Sequence, residues 1–316
     1  MNAAAPGGVG GEHDARSGPP TGAGGPLARW HRPPWIGLLA LLVAFLGTPL
    51  SHSLSVGASR LVGRENSFWV LFPVGCLALA LLVVAVRSRR ESTGTLLGYL
   101  SAMLMWTGWA AYAFKFNEIS LHLPMADVEG SRRPMNLLFI QGSVGICVAV
   151  LAYFVLDKDT KCNAFRWLQR VLHLDLGKPE PARERNFGRV TFLETLTVLW
   201  FCYGVSLFLG DPRYLGYHHP ATYAVVGALA LWGCYLVWRL VHFTRVMAGI
   251  RYAIPTKAIF WIPFGEFFPR YGFYEEFWLQ PWNYGPQIAG VLVLFVALGA
   301  LAVLVPQRRS AQGREG

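Results

Sequence analysis

Long, nearly uninterrupted blocks of apolar residues constrain this chain more than any other feature of its sequence. A helix needs about 20 apolar residues to cross the hydrocarbon core of a bilayer, and several blocks reach that length, the first being WIGLLALLVAFLGTPLSHSL at 35–54. Only 15% of the residues are charged and 53% are hydrophobic, whereas a soluble domain carries about a quarter of charged residues. The sequence therefore predicts a polytopic integral membrane protein.

The predicted fold class is an all-α membrane helix bundle with about seven transmembrane helices. The apolar blocks that define these helices are 35–54, 67–87, 95–114, 136–156, 191–210, 221–244 and 286–306. Segment 1–33 is rich in Gly, Ala and Pro and is expected to be a disordered cytoplasmic tail. The other predicted parts are helices 1–4 at 34–156, a basic cytoplasmic linker at 157–190, helices 5–7 at 191–306 and a short tail at 307–316.

The basic residues predict how the chain is oriented in the membrane. The formal net charge is +10, and the loops on one side of the predicted bundle hold about twice as many Lys and Arg residues as those on the other. Because positively charged flanks stay in the cytoplasm, the N-terminus is expected inside and the C-terminus outside, in a plasma or inner membrane. Nucleic acid is not an expected partner, since the basic residues form no single soluble surface.

Two further segments are predicted to lie at the membrane surface. The linker segment 159–176 spaces Phe165, Leu168, Leu172 and Leu176 three and four residues apart. This pattern is typical of an amphipathic helix on anionic lipids at the cytoplasmic face, although it also suits a helix that docks another subunit of a membrane complex.

The second segment, 259–285, is dense in aromatic residues and is broken by prolines, so it is predicted to be an interfacial or re-entrant segment rather than a spanning helix. It carries Glu266, Glu275 and Glu276. One interpretation is a structural collar at headgroup depth. The other is a pocket for a lipid, a quinone or another flat apolar ligand.

Arg239 and His242 lie three residues apart near the cytoplasmic end of predicted helix 6. Their spacing places them on one helix face, which suggests an anchor or a phospholipid site that belongs to the same candidate pocket. Glu194, near the start of predicted helix 5, is a candidate for proton handling, because ionisable groups inside a membrane are costly and often functional. The alternative for Glu194 is a capping box formed with Thr191.

Four histidines share the predicted outer face, and they suggest a metal or haem site. These residues are His52, His122, His218 and His219, and Asp211 supplies a carboxylate nearby. Imidazole and carboxylate ligands suit copper, zinc or iron, and His is also the usual haem ligand. No metal-binding motif supports the site, so the alternative is a set of interfacial polar residues.

The sequence contains no P-loop, no GxGxxG and no GxSxG, which argues against a self-contained nucleotide-driven enzyme. Three functions remain. The first is a redox-type membrane subunit or enzyme, an oxidoreductase that holds a metal, haem or quinone near the outer face. The second is a small-solute transporter that uses Glu194, Arg239 and His242. The third is a non-catalytic assembly or lipid-binding subunit of a membrane complex.

Overall fold

The structure is a computed structural model of the chain and is built almost entirely of helices. It describes residues 33–63, 65–114, 125–128, 131–134, 137–158, 160, 163–177 and 185–304. Most of the two predicted tails, and the linker residues 178–184, lie outside this part of the chain.

Nine helices and one hairpin make up the architecture of the described residues. The helices are α1 Trp35–Val62, α2 Phe68–Arg87, α3 Glu91–Met105, α4 Leu137–Leu156, α5 Asn163–Val171, α6 Phe187–Gly210, α7 Pro220–Leu240, α8 Val246–Trp261 and α9 Gly285–Leu304. The hairpin consists of β1 Met125–Val128 and β2 Ser131–Pro134, which pair antiparallel. Short single turns are Glu65–Ser67 and Phe277–Leu279. The π-helical segment Trp106–Ala110 continues α3, and residues 111–114 are again helical.

Five helical segments are long and apolar enough to cross a membrane, judged by length and composition. They are Trp35–Val62, Glu65–Arg87, Phe187–Gly210, Pro220–Leu240 and Gly285–Leu304. The prediction of an all-helical fold with several helices able to span a membrane is thereby confirmed. Helices also occupy the other two predicted blocks, as α3 and α4, but these two are not among the five.

The main difference from the sequence prediction is α8. The chain between predicted helices 6 and 7 was expected to stay at one membrane surface, yet Val246–Trp261 is a helix that continues through a wider π-helical turn, Ile262–Phe267, to Arg270. This helix packs against α1 and α7. Hydropathy did not predict this helix because it carries the charged residues Arg251 and Lys257. Their side chains hydrogen-bond to residues of neighbouring helices.

The direction of α8 follows from its contacts with α1. Its first residues join the core cluster of Ile36 and Ala40 near the start of α1, and Trp261 contacts His52 farther along α1. Helix α9 returns in the opposite direction, because Ser53 hydrogen-bonds to Trp278 just before α9 and Leu298 belongs to the Ile36 cluster. Trp35 and Leu304 therefore lie at the same end of the bundle, which differs from the expectation of opposite ends.

The predicted amphipathic segment contains the nine-residue helix α5. The Gln169 side chain donates hydrogen bonds of 3.0 Å to the carbonyl oxygens of Val155 and Asp157 at the end of α4. Phe165 stacks on Phe154 of α4 with ring centroids 5.6 Å apart. These contacts hold α5 against α4, while its location on a lipid surface stays a prediction.

Candidate functional site

The predicted outer-face metal ligands have separate local partners in the structure. His218 Nδ1 lies 2.6 Å from the Tyr223 hydroxyl. His219 caps α7 by accepting a hydrogen bond from the backbone N–H of Ala221. Asp211, which follows α6, forms an ion pair of 2.7 Å with Arg213.

His122 lies outside the described residues. Within the described part of the chain, no three His, Cys, Asp or Glu side chains are placed to hold a metal ion. The metal or haem site therefore remains a prediction without a structural group to support it.

His52 belongs to a different group, which we call the His52 cluster: His52, Trp261, Glu266, Arg270 and Glu276. The imidazole stacks on the Trp261 indole with centroids 5.6 Å apart, and its Nε2 lies 3.8 Å from Glu266 Oε1. Trp261 Nε1 donates to the same carboxylate at 2.9 Å. Arg270 forms ion pairs of 3.3 Å with both Glu266 and Glu276, so it joins the two carboxylates.

The π-helical turn explains how these groups meet. Pro263, which has no backbone N–H to continue an α-helix, lies within the wider turn at Ile262–Phe267. The Trp261 indole lies across Gly265, where a Cβ atom would overlap the ring. The turn thereby brings Glu266 under the indole N–H, and π-turns of this kind are frequent at functional sites.

The remaining members of the predicted ligand pocket do not join this cluster. Glu275 accepts a hydrogen bond from the Tyr284 hydroxyl at 2.8 Å. At the far end of α7, Arg239 donates to the Tyr235 hydroxyl and His242 Nδ1 lies 2.7 Å from the Trp238 carbonyl oxygen. The structure therefore does not bring Arg239 and His242 together with Glu266 and Glu276, and the ligand pocket stays a prediction.

A second charged group lies at the end of the bundle where α8 begins. Arg251 forms an ion pair of 2.7 Å with Glu91 and donates to Thr95 Oγ1 at 2.9 Å. Arg245 reaches the other oxygen of Glu91 at 3.2 Å. The Arg251 guanidinium also lies over the Phe187 ring, 4.6 Å from its centroid. Glu91 thus pairs with two arginines at the end of the bundle where α3, α6 and α8 begin. We call Glu91, Thr95, Arg245 and Arg251 the Glu91 group.

Glu194 is not the capping residue that the sequence suggested. Helix α6 begins at Phe187, and Asn186 is its N-cap, accepting from the Arg189 backbone N–H at 2.9 Å. Glu194 therefore lies in the second turn of the helix. Its Oε1 is buried without a hydrogen-bond partner among the described residues, as is the hydroxyl oxygen of Thr191. A capping box with Thr191 therefore does not explain why Glu194 lies in this helix.

The most unusual side chain of the bundle is Lys257, which lies in the C-terminal half of α8 and is 0% exposed. Its Nζ donates to Thr48 Oγ1 at 2.7 Å and approaches Met103 Sδ at 3.6 Å. It also lies 5.8 Å from the centroid of the Tyr99 ring. Among the described residues no carboxylate forms an ion pair with it.

The sequence predictions did not single out Lys257, which lies between predicted helices 6 and 7. A signal was nevertheless present: Val246, Ile250, Ala253 and Ile254 recur at helical spacing on one side of it. The charged residues of α8 and of the turns that continue it are Arg251, Lys257, Glu266 and Arg270. We call this series the polar column; it extends from the Glu91 group at one end of the bundle to the His52 cluster at the other.

Comparisons with models of protein families, with curated protein sequences and with solved structures found no match for this chain.

Proposed function

We propose that the protein is a membrane transporter that moves protons along the polar column of α8. The observation that carries this proposal is the complete burial of Lys257 without a carboxylate partner among the described residues. Ionisable side chains inside a membrane are expensive, and they often mark ion or proton pathways. An ammonium needs three acceptors, whereas Lys257 has one hydroxyl and one weakly accepting thioether.

The energetic reason for a proton-carrying role is that the charged form of Lys257 is poorly stabilised. The apolar surroundings disfavour the charged amine, and the hydrogen bond to Thr48 only partly offsets that cost. A group of this kind can gain and lose a proton as its surroundings change. A structural lysine would instead be expected to have a buried carboxylate as a permanent partner.

Glu194 supports the same function. It is a second ionisable group in an apolar helix, half-buried, and its buried Oε1 has no hydrogen-bond partner among the described residues. The transporter predicted from the sequence uses Glu194 with Arg239 and His242. The proposed pathway has Arg251 and Lys257, which face the interior of the bundle, in place of the last two. The charged groups around Glu91 and Arg270 would form the two ends of the pathway.

The redox function would need a group that holds its cofactor. Its metal or haem form depended on His52, His122, His218 and His219, and no structural observation now favours it over transport. No specific contact favours a purely assembly role either.

Proton flux into liposomes tests the proposal. Vesicles that contain the purified protein, potassium and a pH-sensitive dye are given an inside-negative potential with valinomycin, and the rate of internal acidification is recorded. Lys257→Met keeps the volume of the side chain but removes the ionisable group. We expect it to lower the protein-dependent flux by about tenfold or more, the effect of losing a positioned proton-transfer group.

The matched control is Lys158→Met, which removes an exposed lysine from the turn after α4 and should leave the flux unchanged. Equal flux in the wild type and in Lys257→Met would contradict the proposal. A wild-type rate no higher than that of protein-free vesicles would contradict it as well.

A further inference from the structure

An open groove of about 450 Å³ lies on the outer surface of the bundle, between the start of α7 and the turn that follows α8. One edge of the groove is polar. His218 and Tyr223 are joined there by the 2.6 Å hydrogen bond, and the Tyr271 ring lies 5.1 Å from the Tyr223 ring. These three side chains offer imidazole and phenol groups together with flat ring faces.

The rest of the groove is apolar. Val226 lies on its α7 side, and the Phe268 and Phe273 rings, 5.2 Å apart, lie opposite. The space beside Gly227 is open, because a Cβ atom at this position would meet nothing within 4 Å. None of the lining residues is charged.

The groove also continues onto a surface that suits a lipid tail. Helix α7 is one of the five segments able to cross a membrane, and the groove lies in its first two turns. One turn beyond Gly227, on the same face, Leu231 is 76% exposed. A molecule whose head occupies the groove can therefore extend an apolar tail along α7.

We propose that this groove binds an isoprenoid quinone. The ring of a quinone is flat and uncharged, its carbonyl oxygens accept hydrogen bonds, and its tail is apolar; these properties match the tyrosine faces, the His218 and Tyr223 edge and the exposed strip of α7. A phospholipid headgroup would require Lys or Arg beside its phosphate, and the lining of the groove contains neither. This inference goes beyond the proposed transport function, because it uses neither Lys257 nor Glu194.

The test is photolabelling of the purified wild-type protein in lipid nanodiscs. The probe is an azidobenzoquinone that carries a decyl tail, and labelled peptides are identified by mass spectrometry. We expect labelling within 218–227 and 268–273, and we expect unlabelled decylbenzoquinone to compete for it. Gly227→Leu places a side chain in the groove and should reduce this labelling about tenfold, which corresponds to roughly 1.4 kcal/mol of binding free energy.

Gly290→Leu is the matched control. Gly290 is also an exposed glycine of an apolar helix whose Cβ position is open, but it lies on α9, away from the groove. It should leave labelling unchanged. His218→Phe keeps a ring and removes the imidazole, and it should weaken competition by decylbenzoquinone severalfold, since a hydrogen bond is worth about 1 kcal/mol.

Equal labelling of Gly227→Leu and Gly290→Leu would overturn the proposal. Displacement of the probe by phosphatidylglycerol as readily as by decylbenzoquinone would also overturn it, because the groove would then be a general lipid surface. The transport and quinone proposals can fail separately, since Gly227→Leu should keep the valinomycin-driven proton flux and Lys257→Met should keep the quinone labelling.

Discussion

At the scale of single residues, the partner of an ionisable group decides how it contributes to the molecule. Lys257 is enclosed with a hydroxyl and a thioether, whereas Asp211 is paired with Arg213 through both carboxylate oxygens. Burial alone would raise the pKa of Asp211, but the hydrogen bonds and the charge of Arg213 together hold that pKa below its usual value. Asp211 therefore has a structural role after α6, while Lys257 is a functional candidate.

The Asp211 pair predicts how stability depends on pH. A carboxyl group whose pKa is lower in the folded state stabilises that state fully above its unfolded pKa, about 4, and loses the contribution as pH falls through the folded pKa. Asp211→Asn should lower the melting temperature in detergent by about 2–4 °C near neutral pH, a modest loss because Arg213 is one-third exposed.

This difference between Asp211→Asn and the wild type should narrow as the pH is lowered below about 4. Thermal unfolding followed by tryptophan fluorescence at several pH values measures it. Glu65→Gln, which changes an exposed carboxylate, serves as the control. A difference in melting temperature between the two proteins that does not depend on pH would contradict a stabilising role for the Asp211–Arg213 ion pair.

At the scale of helices, the capping of α6 shows how a local motif was misassigned. The pattern Thr191-Phe192-Leu193-Glu194 has the residue types and spacing of a capping box, but the helix had already begun at Phe187. Asn186 is the cap, and it also donates to the Val86 carbonyl oxygen at 2.7 Å. That second bond joins the start of α6 to the end of α2, a contact that no local pattern reveals.

Two alanine variants separate the two capping assignments. Asn186→Ala should destabilise the protein by about 1 kcal/mol, the usual effect of losing a helix cap, and more if the bond to Val86 also contributes. Thr191→Ala should change stability little, because the Thr191 hydroxyl has no partner among the described residues. Urea or thermal unfolding in one detergent compares them. A larger effect for Thr191→Ala would restore the capping box.

At the scale of the whole molecule, α8 changes the path of the chain. It connects the end of the bundle that holds Leu240 with the end that holds Tyr217, and α9 then returns. The Glu91 group and the His52 cluster come to opposite ends of one helix for this reason. A chain with α8 outside the bundle would have neither a polar column nor a buried lysine.

This path predicts that both chain termini lie on the same side of the membrane. An epitope tag at each end, tested for protease protection in right-side-out and inside-out vesicles, should show the same accessibility for both tags. Opposite accessibility would mean that the α8 segment does not cross the membrane, and it would favour the arrangement expected from the loop charges.

The sequence by itself determined the membrane class, the helical fold and the approximate positions of seven helices, because the transfer of apolar residues into lipid is a local property summed over about 20 residues. Only the tertiary structure decided where the charged residues go. Thr48 and Lys257 are 209 positions apart, and Glu91 and Arg251 are 160 apart. A helix enclosed by other helices can carry polar side chains where residues distant in sequence hydrogen-bond to them. For this reason the hydropathy of α8 did not predict a buried helix, although α8 packs inside the bundle.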